Sequence, residues 1–441
     1  MIASFARRAA APLAAVLLFA GSAIASPAFA AEAGPLDGPG TAWLLTATAL
    51  VLFMTLPGLA LFYAGLVRAR NALSVLMHCV LIAALASVLW LAAGYSLAFT
   101  DGGDVQAVIG GLGRAFLAGV TAETLRDGLP EAVFFMFQLT FAVITPALIV
   151  GAYPERVKFS AVVWFSGLWL FLVYVPICHW IWGNGWLAQQ GVIDFAGGLV
   201  VHVTAGMAAV IAALMVGKRR DFPHEPMLPH SPGMTATGAG MLWVGWYGFN
   251  AGSALAANGS AGMAMIATHM SAAGGALTWM AIEWLRHGRP SLVGIVTGLI
   301  AGLATITPAA GVAGPAGGLL AGICGSLICF SITTLMKQRL RLDDSLDVFA
   351  VHGIGGALGI VLVAVIGQPG LGGTGFGAGV SAAAQLGSQL LGLGATAAWA
   401  GLMSWIILAG LKATLGLRVS QEQEFEGLDI TVHGERAYDL R

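Results

Sequence analysis

Two histidines with matching neighbours lie within strongly apolar segments of the chain. The shared pattern is an aspartate, a histidine eight positions later and a glycine four positions after that. It occurs as Asp194, His202 and Gly206 and again as Asp344, His352 and Gly356. An ionisable group in the core of a bilayer is costly unless it faces a cavity or a partner, so such a residue indicates a functional site. Two histidines at equivalent places indicate one site at the junction of two internal repeats.

Paired neutral imidazoles in apolar surroundings suit a small polar solute. Desolvation disfavours the imidazolium form, and two neutral rings in contact offer one hydrogen-bond donor and one acceptor. Such a pair could bind a small amine or relay a proton. A lone buried histidine is more often a structural residue, but the matched surroundings of His202 and His352 favour a functional site.

The composition is that of a membrane protein. Of the 441 residues, 58% are hydrophobic and only 9% are charged, whereas a soluble domain carries about 25% charged residues. The 62 glycines suit helices that pack closely in lipid, because small residues let helices approach one another. We therefore predict an all-α integral membrane protein whose surface contacts membrane lipid. No run of Lys and Arg is long enough to bind a nucleic-acid backbone, so nucleic acid is excluded as a partner.

The first thirty residues have the features of a signal peptide. Arg7 and Arg8 precede an apolar stretch at 9–24, and an Ala-x-Ala cleavage pattern follows at 28–30. Cleavage would place the mature N-terminus outside the cytoplasm of a bacterium, with the chain in the inner membrane; an uncleaved first membrane helix is the alternative. The predicted organisation is a cleaved signal peptide at 1–30, a transmembrane domain at 31–415 and a cytoplasmic tail at 416–441.

Eleven segments are long and apolar enough to be read as membrane spans, since a span needs about 20 mostly apolar residues. They are 42–64, 72–98, 131–152, 158–180, 196–217, 235–256, 261–285, 291–308, 313–336, 346–366 and 384–414. With the N-terminus outside, the cytoplasmic loops and tail hold sixteen of the twenty Lys and Arg residues. The translocated loops hold two, Arg114 and Arg126, and the remaining two are Arg7 and Arg8. This bias supports the count and the orientation, because a missing or extra span would scramble it.

The orientation explains why the histidine pattern occurs twice. The span with His202 runs inward and the span with His352 runs outward, and each histidine lies eight residues beyond its aspartate, or about 12 Å at 1.5 Å per residue. Both histidines therefore reach toward the membrane midplane from opposite sides. That arrangement predicts an inverted repeat of five plus five helices with an eleventh helix added. Capping of the helix N-termini is the simplest role for the nearby acids Asp194, Asp344 and Asp347.

Aromatic residues cluster near the histidine spans in two places. Phenylalanines lie between 134 and 141 on the third predicted span, and three tryptophans lie between 180 and 186 after the fourth. They could be core packing and an interfacial belt, or a site that attracts a small cation through cation–π interactions of up to about 2 kcal/mol. Spacing leaves both interpretations open. Polar and small residues at 246–253 interrupt the sixth span, which is tolerated where a segment lines a cavity.

No pattern in the chain predicts an enzyme. The four cysteines lie in or at the ends of apolar segments without the spacing of metal ligands, so we interpret them as packing residues. A Ser/His/Asp set, a zinc motif and a phosphate-binding loop are not evident. The sequence therefore predicts no metal and no cofactor.

Six short stretches, taken together, resemble a known family. They are Ala64-Gly-Leu-Val-Arg68, 194–202, Gly248-Phe-Asn-Ala-Gly-Ser253, 347–353, Gly416-Leu-Arg-Val419 and Glu426-Gly-Leu-Asp429. In this order and spacing they make the chain similar to bacterial ammonium transporters of the Amt/MEP/Rh family. The resemblance runs from about residue 40 to the C-terminus.

The resemblance implies roles for aromatic residues at the outer mouth. Trp182, Phe141 and Ser253 would form the ammonium recruitment site. Phe141 and Phe249 would form a stacked gate beneath it.

The resemblance also implies roles for residues deeper in the membrane. His202 and His352 would be the paired pore histidines. Asp194 would support the recruitment region without touching the substrate, Thr307 would lie near the pore, and Asp347 would be a further supporting residue.

Family members are homotrimers with one pore in each subunit, so the resemblance implies the same assembly here, with ammonium or methylammonium as the substrate. Many bacterial members are blocked from the cytoplasm by a trimeric PII-type signalling protein, and the tail keeps the family's pattern. The first alternative is a water or glycerol channel, but its paired Asn-Pro-Ala half-helices and Arg filter are not found. The second is an ammonium sensor with little bulk transport. Whether NH3, NH4⁺, or NH3 with a relayed proton crosses is left open by the sequence.

Overall fold

The structure is a computed structural model that describes residues 35–225 and 227–438. The predicted signal peptide, residues 1–30, lies outside the described residues. Eleven long helical segments, labelled α1 to α11 in chain order, make up most of the described chain. They are α1 Gly38–Leu66, α2 Ala69–Phe99, α3 Glu131–Ala152, α4 Phe159–Gln189, α5 Gly198–Val216, α6 Pro232–Trp246 with its continuation Tyr247–Ala251, α7 Gly259–His287, α8 Leu292–Ala309, α9 Pro315–Leu340, α10 Phe349–Ile366 and α11 Ala382–Thr414.

Each long helix coincides with one predicted span, so the all-helical membrane class is confirmed. Within the described residues, nine of the eleven are long and apolar enough to cross a bilayer. The other two, α6 and α7, are less apolar because polar and glycine residues are frequent in them. At 29 residues, α7 is about 44 Å long at 1.5 Å per residue, which exceeds the bilayer core of about 30 Å. The count of eleven spans stays a prediction for these two helices.

Shorter elements complete the described chain between and after the long helices. They are the antiparallel strands β1 Leu125–Arg126 and β2 Leu129–Pro130, and the tail helices α12 Gln421–Glu426 and α13 Leu428–His433. The strands belong to the connection between α2 and α3, on the side predicted to be outside. The tail helices lie on the opposite side, against the start of α2.

Both histidine-bearing helices begin with a π-helical turn. In α5 the turn is Gly198–Val203 and contains His202; in α10 it is Phe349–Ile354 and contains His352. Seven π-helical turns occur among the described residues, and the one at Tyr247–Ala251 continues α6. Such turns are uncommon in proteins, and those that occur often lie at functional sites. The wider turn changes the direction in which side chains point. The matching turns at the two histidines support the inverted repeat.

The glycines of the repeated pattern allow α5 and α10 to cross closely. A Cβ atom added to Gly356 would lie 2.7 Å from the Cβ of His202. A Cβ atom added to Gly206 would collide with the backbone of Gly353. Each glycine of the pattern therefore accommodates the helix that carries the opposite histidine, as small residues do at close helix contacts in membranes.

Arg156 joins three segments on the face predicted to be cytoplasmic. Its side chain is fully buried and donates hydrogen bonds to the carbonyl oxygens of Ala152 (3.0 Å), Gly217 (2.8 Å) and Asp343 (2.7 Å). These carbonyls belong to the end of α3, the end of α5 and the loop before α10. A buried charge needs such partners, so the guanidinium fixes the ends of these helices relative to one another.

The tail is docked on the same face through two carboxylates. Asp429 accepts the backbone N–H groups of Leu73 (3.0 Å) and Ser74 (2.7 Å) near the start of α2. Glu424 accepts the backbone N–H of Arg220, which follows α5, at 2.9 Å. These bonds satisfy donors that helix and loop ends would otherwise leave free, and they tie residues of the tail to the start of α2 and to the loop after α5.

Replacing Gly356 by alanine is expected to destabilise the protein by about 1–3 kcal/mol, the usual range for overpacking a well-packed contact. Thermal unfolding of the purified protein in detergent measures the change. The matched control is Gly394→Ala in α11, where an added Cβ meets nothing within 4 Å. Alanine favours a helix by about 1 kcal/mol over glycine, so the control should not lower the melting temperature. Equal melting temperatures for the two variants would contradict the close crossing.

Candidate functional site

The outer end of the site is formed by two aromatic rings in edge-to-face contact. The ring centroids of Trp182 and Phe141 are 5.5 Å apart and the ring planes make an angle of 84°. The indole Nε1 of Trp182 donates to the carbonyl oxygen of Asp194 at 2.8 Å, which fixes the ring. Ser253 donates to the carbonyl oxygen of Phe249 at 2.8 Å. Its hydroxyl lone pairs therefore remain available to accept an N–H group.

A pair of stacked phenylalanines lies beneath this outer end. The rings of Phe141 and Phe249 have centroids 4.4 Å apart at an angle of 33°, and each residue is only 1% exposed. Phe141 comes from α3 and Phe249 from the π-helical continuation of α6. The two rings thus lie between Trp182 and His202, at the positions predicted for a gate.

The two histidines lie in contact below the phenylalanines. The Nδ1 atoms of His202 and His352 are 3.2 Å apart, and the ring centroids are 5.2 Å apart. Because a hydrogen bond needs one donor and one acceptor, one Nδ1 carries a proton and the other does not. In neutral rings the free Nε2 atoms then have opposite roles, one as acceptor and one as donor. The Nε2 of His202 is buried and has no hydrogen-bond partner among the described residues.

A narrow cavity surrounds the histidine pair. Its volume is about 10 Å³, and its walls include both histidines, Phe249, Trp246 and Leu148. This is room for about one water-sized molecule. The other wall residues are apolar, so the pair supplies the polar atoms for such a molecule. Among the described residues, no group of His, Cys, Asp or Glu side chains is arranged to hold a metal ion.

Trp246 connects Thr307 to the histidine pair, a role that the sequence did not predict. The indole of Trp246 stacks on His202 with centroids 5.6 Å apart, and its Nε1 donates to Thr307 Oγ1 at 2.9 Å. Thr307 in turn donates to the carbonyl oxygen of Leu303 at 2.8 Å. Thr307 is therefore one residue removed from the imidazole of His202. The only sequence signal for Trp246 was its place three residues before Phe249, on a similar face of the helix.

Asp194 holds the start of α5 with both of its carboxylate oxygens. They accept the backbone N–H groups of Gly197, Gly198, Leu199 and Val200 at 2.5 to 3.0 Å. Burial raises the pKa of Asp194 above its ordinary value, and these four N–H groups oppose that rise. The same residue accepts the indole N–H of Trp182 through its carbonyl. Asp194 thus caps a helix and also holds the ring of Trp182.

The two aspartates before α10 have different partners. Asp344 accepts the backbone N–H of Phe349 at 2.7 Å and caps the helix. Asp347 instead forms an ion pair with Lys337, 2.6 Å from Nζ to Oδ2, and has a positive φ of 62°. The capping role expected for Asp347 is therefore taken by Asp344, because the left-handed turn at Asp347 directs its side chain to Lys337.

The chain matches the model of the Ammonium Transporter Family over residues 42–438. It is 45% identical over 424 residues to an ammonium transporter of Aquifex aeolicus, covering 95% of this chain and 97% of that protein. It is 41% identical over 397 residues to an ammonium transporter of Bacillus subtilis, covering 88% and 96%.

Solved structures show the same architecture. Mep2 of Saccharomyces cerevisiae is 35% identical and superposes with a TM-score of 0.81 over 88% of each chain. A sensor Amt protein is 27% identical and superposes with a TM-score of 0.83, covering 89% of this chain and 98% of that chain. The chain is a multi-pass membrane protein, and it belongs to the ammonium transporter family.

Proposed function

We propose that the chain recruits ammonium at the outer aromatic site and conducts ammonia through the histidine-lined cavity. The observation that carries this proposal is a continuous column of rings: Trp182, Phe141, Phe249, His202 and His352. Successive centroids are 5.5, 4.4, 6.1 and 5.2 Å apart. The column joins a half-buried mouth to a buried polar pair by contacts at every step.

Recruitment of a cation at the mouth follows from the chemistry of its walls. The faces of Trp182 and Phe141 attract an ammonium ion by cation–π interaction, worth about 0.5–1 kcal/mol at an exposed site and about 2 when desolvated. The hydroxyl of Ser253 offers an acceptor for one N–H group. A neutral solute such as water gains little from these rings, so the mouth favours the cation.

Passage beyond the gate favours the neutral form. The effective cost of burying an ion is several kcal/mol, which exceeds the cation–π term of about 2 kcal/mol. Ammonium therefore gives up a proton to water at the mouth before the ammonia molecule passes Phe141 and Phe249. The acceptor Nε2 of the pair His202 and His352 binds an ammonia N–H and the donor Nε2 hydrogen-bonds the ammonia lone pair. The shared Nδ1 proton lets the pair pass a proton from one ring to the other.

We further propose a homotrimer in the bacterial inner membrane, with an outside N-terminus and a cytoplasmic C-terminus. The positive charges on one side support the orientation. The hydroxyl of Tyr247 is hydrogen-bonded to His269 Nδ1 at 2.7 Å, on an exposed part of the subunit. His269 lies ten residues into α7, about 15 Å along the helix and so near the midplane. Polar groups exposed at that depth favour cover by a neighbouring subunit.

We also propose that the docked tail is a regulatory segment and forms part of the surface that a PII-type protein binds. Its contacts link it to the start of α2 and to the loop after α5, on the face predicted to be cytoplasmic. A tail that holds both segments can transmit the binding of a cytoplasmic protein to the predicted outlet.

An ammonium sensor is the second candidate function. The observation that favours it is the TM-score of 0.83 to the sensor Amt protein. A sensor would bind ammonium at the same mouth and move little of it. Uptake by the wild-type protein in proteoliposomes, compared with protein-free vesicles, separates the two functions: bulk uptake supports the transporter, and binding without uptake supports the sensor.

His352→Ala is expected to lower methylammonium uptake in proteoliposomes by at least about tenfold, because loss of a positioned proton-transfer group typically costs 10²–10⁴-fold. His202→Ala should act in the same way. The control is His224→Ala, in an exposed loop. Wild-type uptake by either pore variant, in a protein that still folds, would show that the pair is not the conduction site.

Trp182→Leu is expected to weaken the apparent affinity for ammonium by about 2- to 30-fold, the range that corresponds to a cation–π term of 0.5–2 kcal/mol. The concentration dependence of transport current measures the shift. Trp186→Leu is the control, since Trp186 packs against Trp180 rather than against Phe141. If the two leucine variants have the same half-saturating concentration, the aromatic mouth is packing and not a binding site.

A chain that ends at Leu415 is expected to reach the membrane, because all eleven long helices precede the cut. It is expected to transport several-fold less, because the tail carboxylates that accept N–H groups at α2 and at Arg220 are lost. Uptake per inserted protein and binding of a PII-type protein are the measurements. A chain that ends at Tyr438 keeps the described tail contacts and is the control. If the shorter chain transports and binds as the full chain does, the tail is not regulatory.

A further inference from the structure

The inverted repeat places two aspartates at equivalent positions, but their hydrogen bonds differ. Asp194 uses both oxygens to accept four backbone N–H groups. Asp344 uses Oδ2 to accept the backbone N–H of Phe349 at 2.7 Å. Its Oδ1 is buried and has no hydrogen-bond partner in the described residues, and the whole residue is 1% exposed. The inner member of the pair is therefore only half satisfied.

A buried carboxylate with an unpartnered oxygen favours taking up a proton, because the neutral carboxyl costs less to bury. Burial and the nearby charge of Asp347 raise the pKa of Asp344 to about 7, against the lowering effects of the Phe349 and Val348 N–H groups and of Lys337. Both forms of the carboxyl are consequently present near neutral pH.

The loop that carries Asp344 is linked to the wall of the histidine cavity through a chain of contacts. The backbone N–H of Leu346 donates to the carbonyl of Gly151 at 2.9 Å, which holds the loop against the end of α3. A Cβ on Gly151 would lie 2.9 Å from the hydroxyl of Tyr63, and that hydroxyl donates to the carbonyl of Leu148 at 2.9 Å. Leu148 lines the cavity with both histidines.

In the part of the chain that the structure describes, the charged groups around this loop have ion-pair partners, and Asp344 is the exception. Tyr63 is near enough to interact electrostatically with the carboxyl. Asp347 is paired with Lys337. The adjacent Asp343 is paired with Arg219, 2.8 Å from Nη2 to Oδ1. Each neighbouring acid thus has a cationic partner, whereas Asp344 has none within ion-pair distance among the described residues.

We propose that Asp344 is the proton-accepting residue at the inner end of the pore. The proposal rests on the proposed function, in which ammonium is deprotonated above the gate. The N–H bond of ammonium breaks at the mouth, where water takes the proton, and the proton then passes from water to the histidine pair. The pair gives up a proton, which forms an O–H bond at Asp344 Oδ1, and that proton is then released to water on the inner side. Ammonia leaves the cavity separately, so one NH4⁺ is moved in total and no electrons are transferred.

The simplest competing role for Asp344 is to cap α10. Asparagine separates the two roles, because its amide oxygen still accepts the N–H of Phe349 while the amide does not titrate. Asn is about as good an N-cap as Asp, so Asp344→Asn should fold and melt like the wild type.

The test measures transport current and methylammonium uptake with the full-length protein in proteoliposomes, as a function of internal pH. A carboxyl must be ionised to accept a proton, so the wild-type current should fall as internal pH drops through about 7. Asp344→Asn should carry at least about tenfold less charge per methylammonium and should show no such inflection. Glu225→Gln, a neutralised carboxyl in an exposed loop on the same face, should behave as the wild type.

A second measurement keeps the test independent of transport. Infrared difference spectra of the wild type should contain a carboxyl band that titrates near pH 7 and is missing in Asp344→Asn. Wild-type charge ratio and pH dependence in Asp344→Asn, or the lack of the band, would overturn the proposal and leave a cap. If the variant weakens ammonium affinity at constant charge per substrate, the residue binds the cation and the proposal is wrong. Unaltered uptake by His352→Ala would instead refute the proposed function, while the infrared titration would still report on Asp344.

Discussion

The contact between the Nδ1 atoms of His202 and His352 sets the requirements for the membrane core. Two imidazoles 3.2 Å apart require that α5 and α10 cross with little between them, which only glycine at 206 and 356 allows. The bilayer offers no water to the backbone, so the free N–H groups at both helix starts need protein acceptors. The aspartate eight residues before each histidine supplies one. The repeated pattern of acid, histidine and glycine is thus a cap, a reactive group and a crossing point.

The electrostatics of the column differ between its two ends. In the proposed function, a cation at the half-buried mouth is stabilised by rings and a hydroxyl. Below the phenylalanines the same ion would lose several kcal/mol of solvation in a cavity of about 10 Å³, where two neutral rings are the polar groups. A neutral molecule with one lone pair and N–H bonds matches the donor and the acceptor of the pair. Selectivity therefore depends on where desolvation occurs, more than on the strength of any one contact.

The helices and the opposed histidines could be predicted from the sequence, because they depend on residue spacing along the chain. Apolar length and the bias of basic residues gave the helices, and the repeat gave the opposed histidines. The contact of Trp246 with Thr307, 61 residues apart, depends on how α6 and α8 pack, and no spacing encodes it. The π-helical turns were missed because apolar sequences fit an α- or a π-turn equally. Asp344 and Asp347 are three residues apart, and only the backbone turn between them decides which one caps α10.

An inverted repeat gives the two ends of a pore the same residues in equivalent places. Here the two ends differ in the hydrogen bonds that their aspartates accept. Asp194 receives four N–H donors, which favour its charged form and oppose the rise in pKa that burial causes. Asp344 receives fewer donors and keeps one oxygen free, so its charge changes near neutral pH. A carboxylate with many hydrogen-bond donors suits a place where a cation must be attracted, whereas a titrating group suits a place where a proton must arrive and leave. The two symmetric aspartates thus differ in their properties, because Asp194 accepts four backbone N–H groups and Asp344 accepts one.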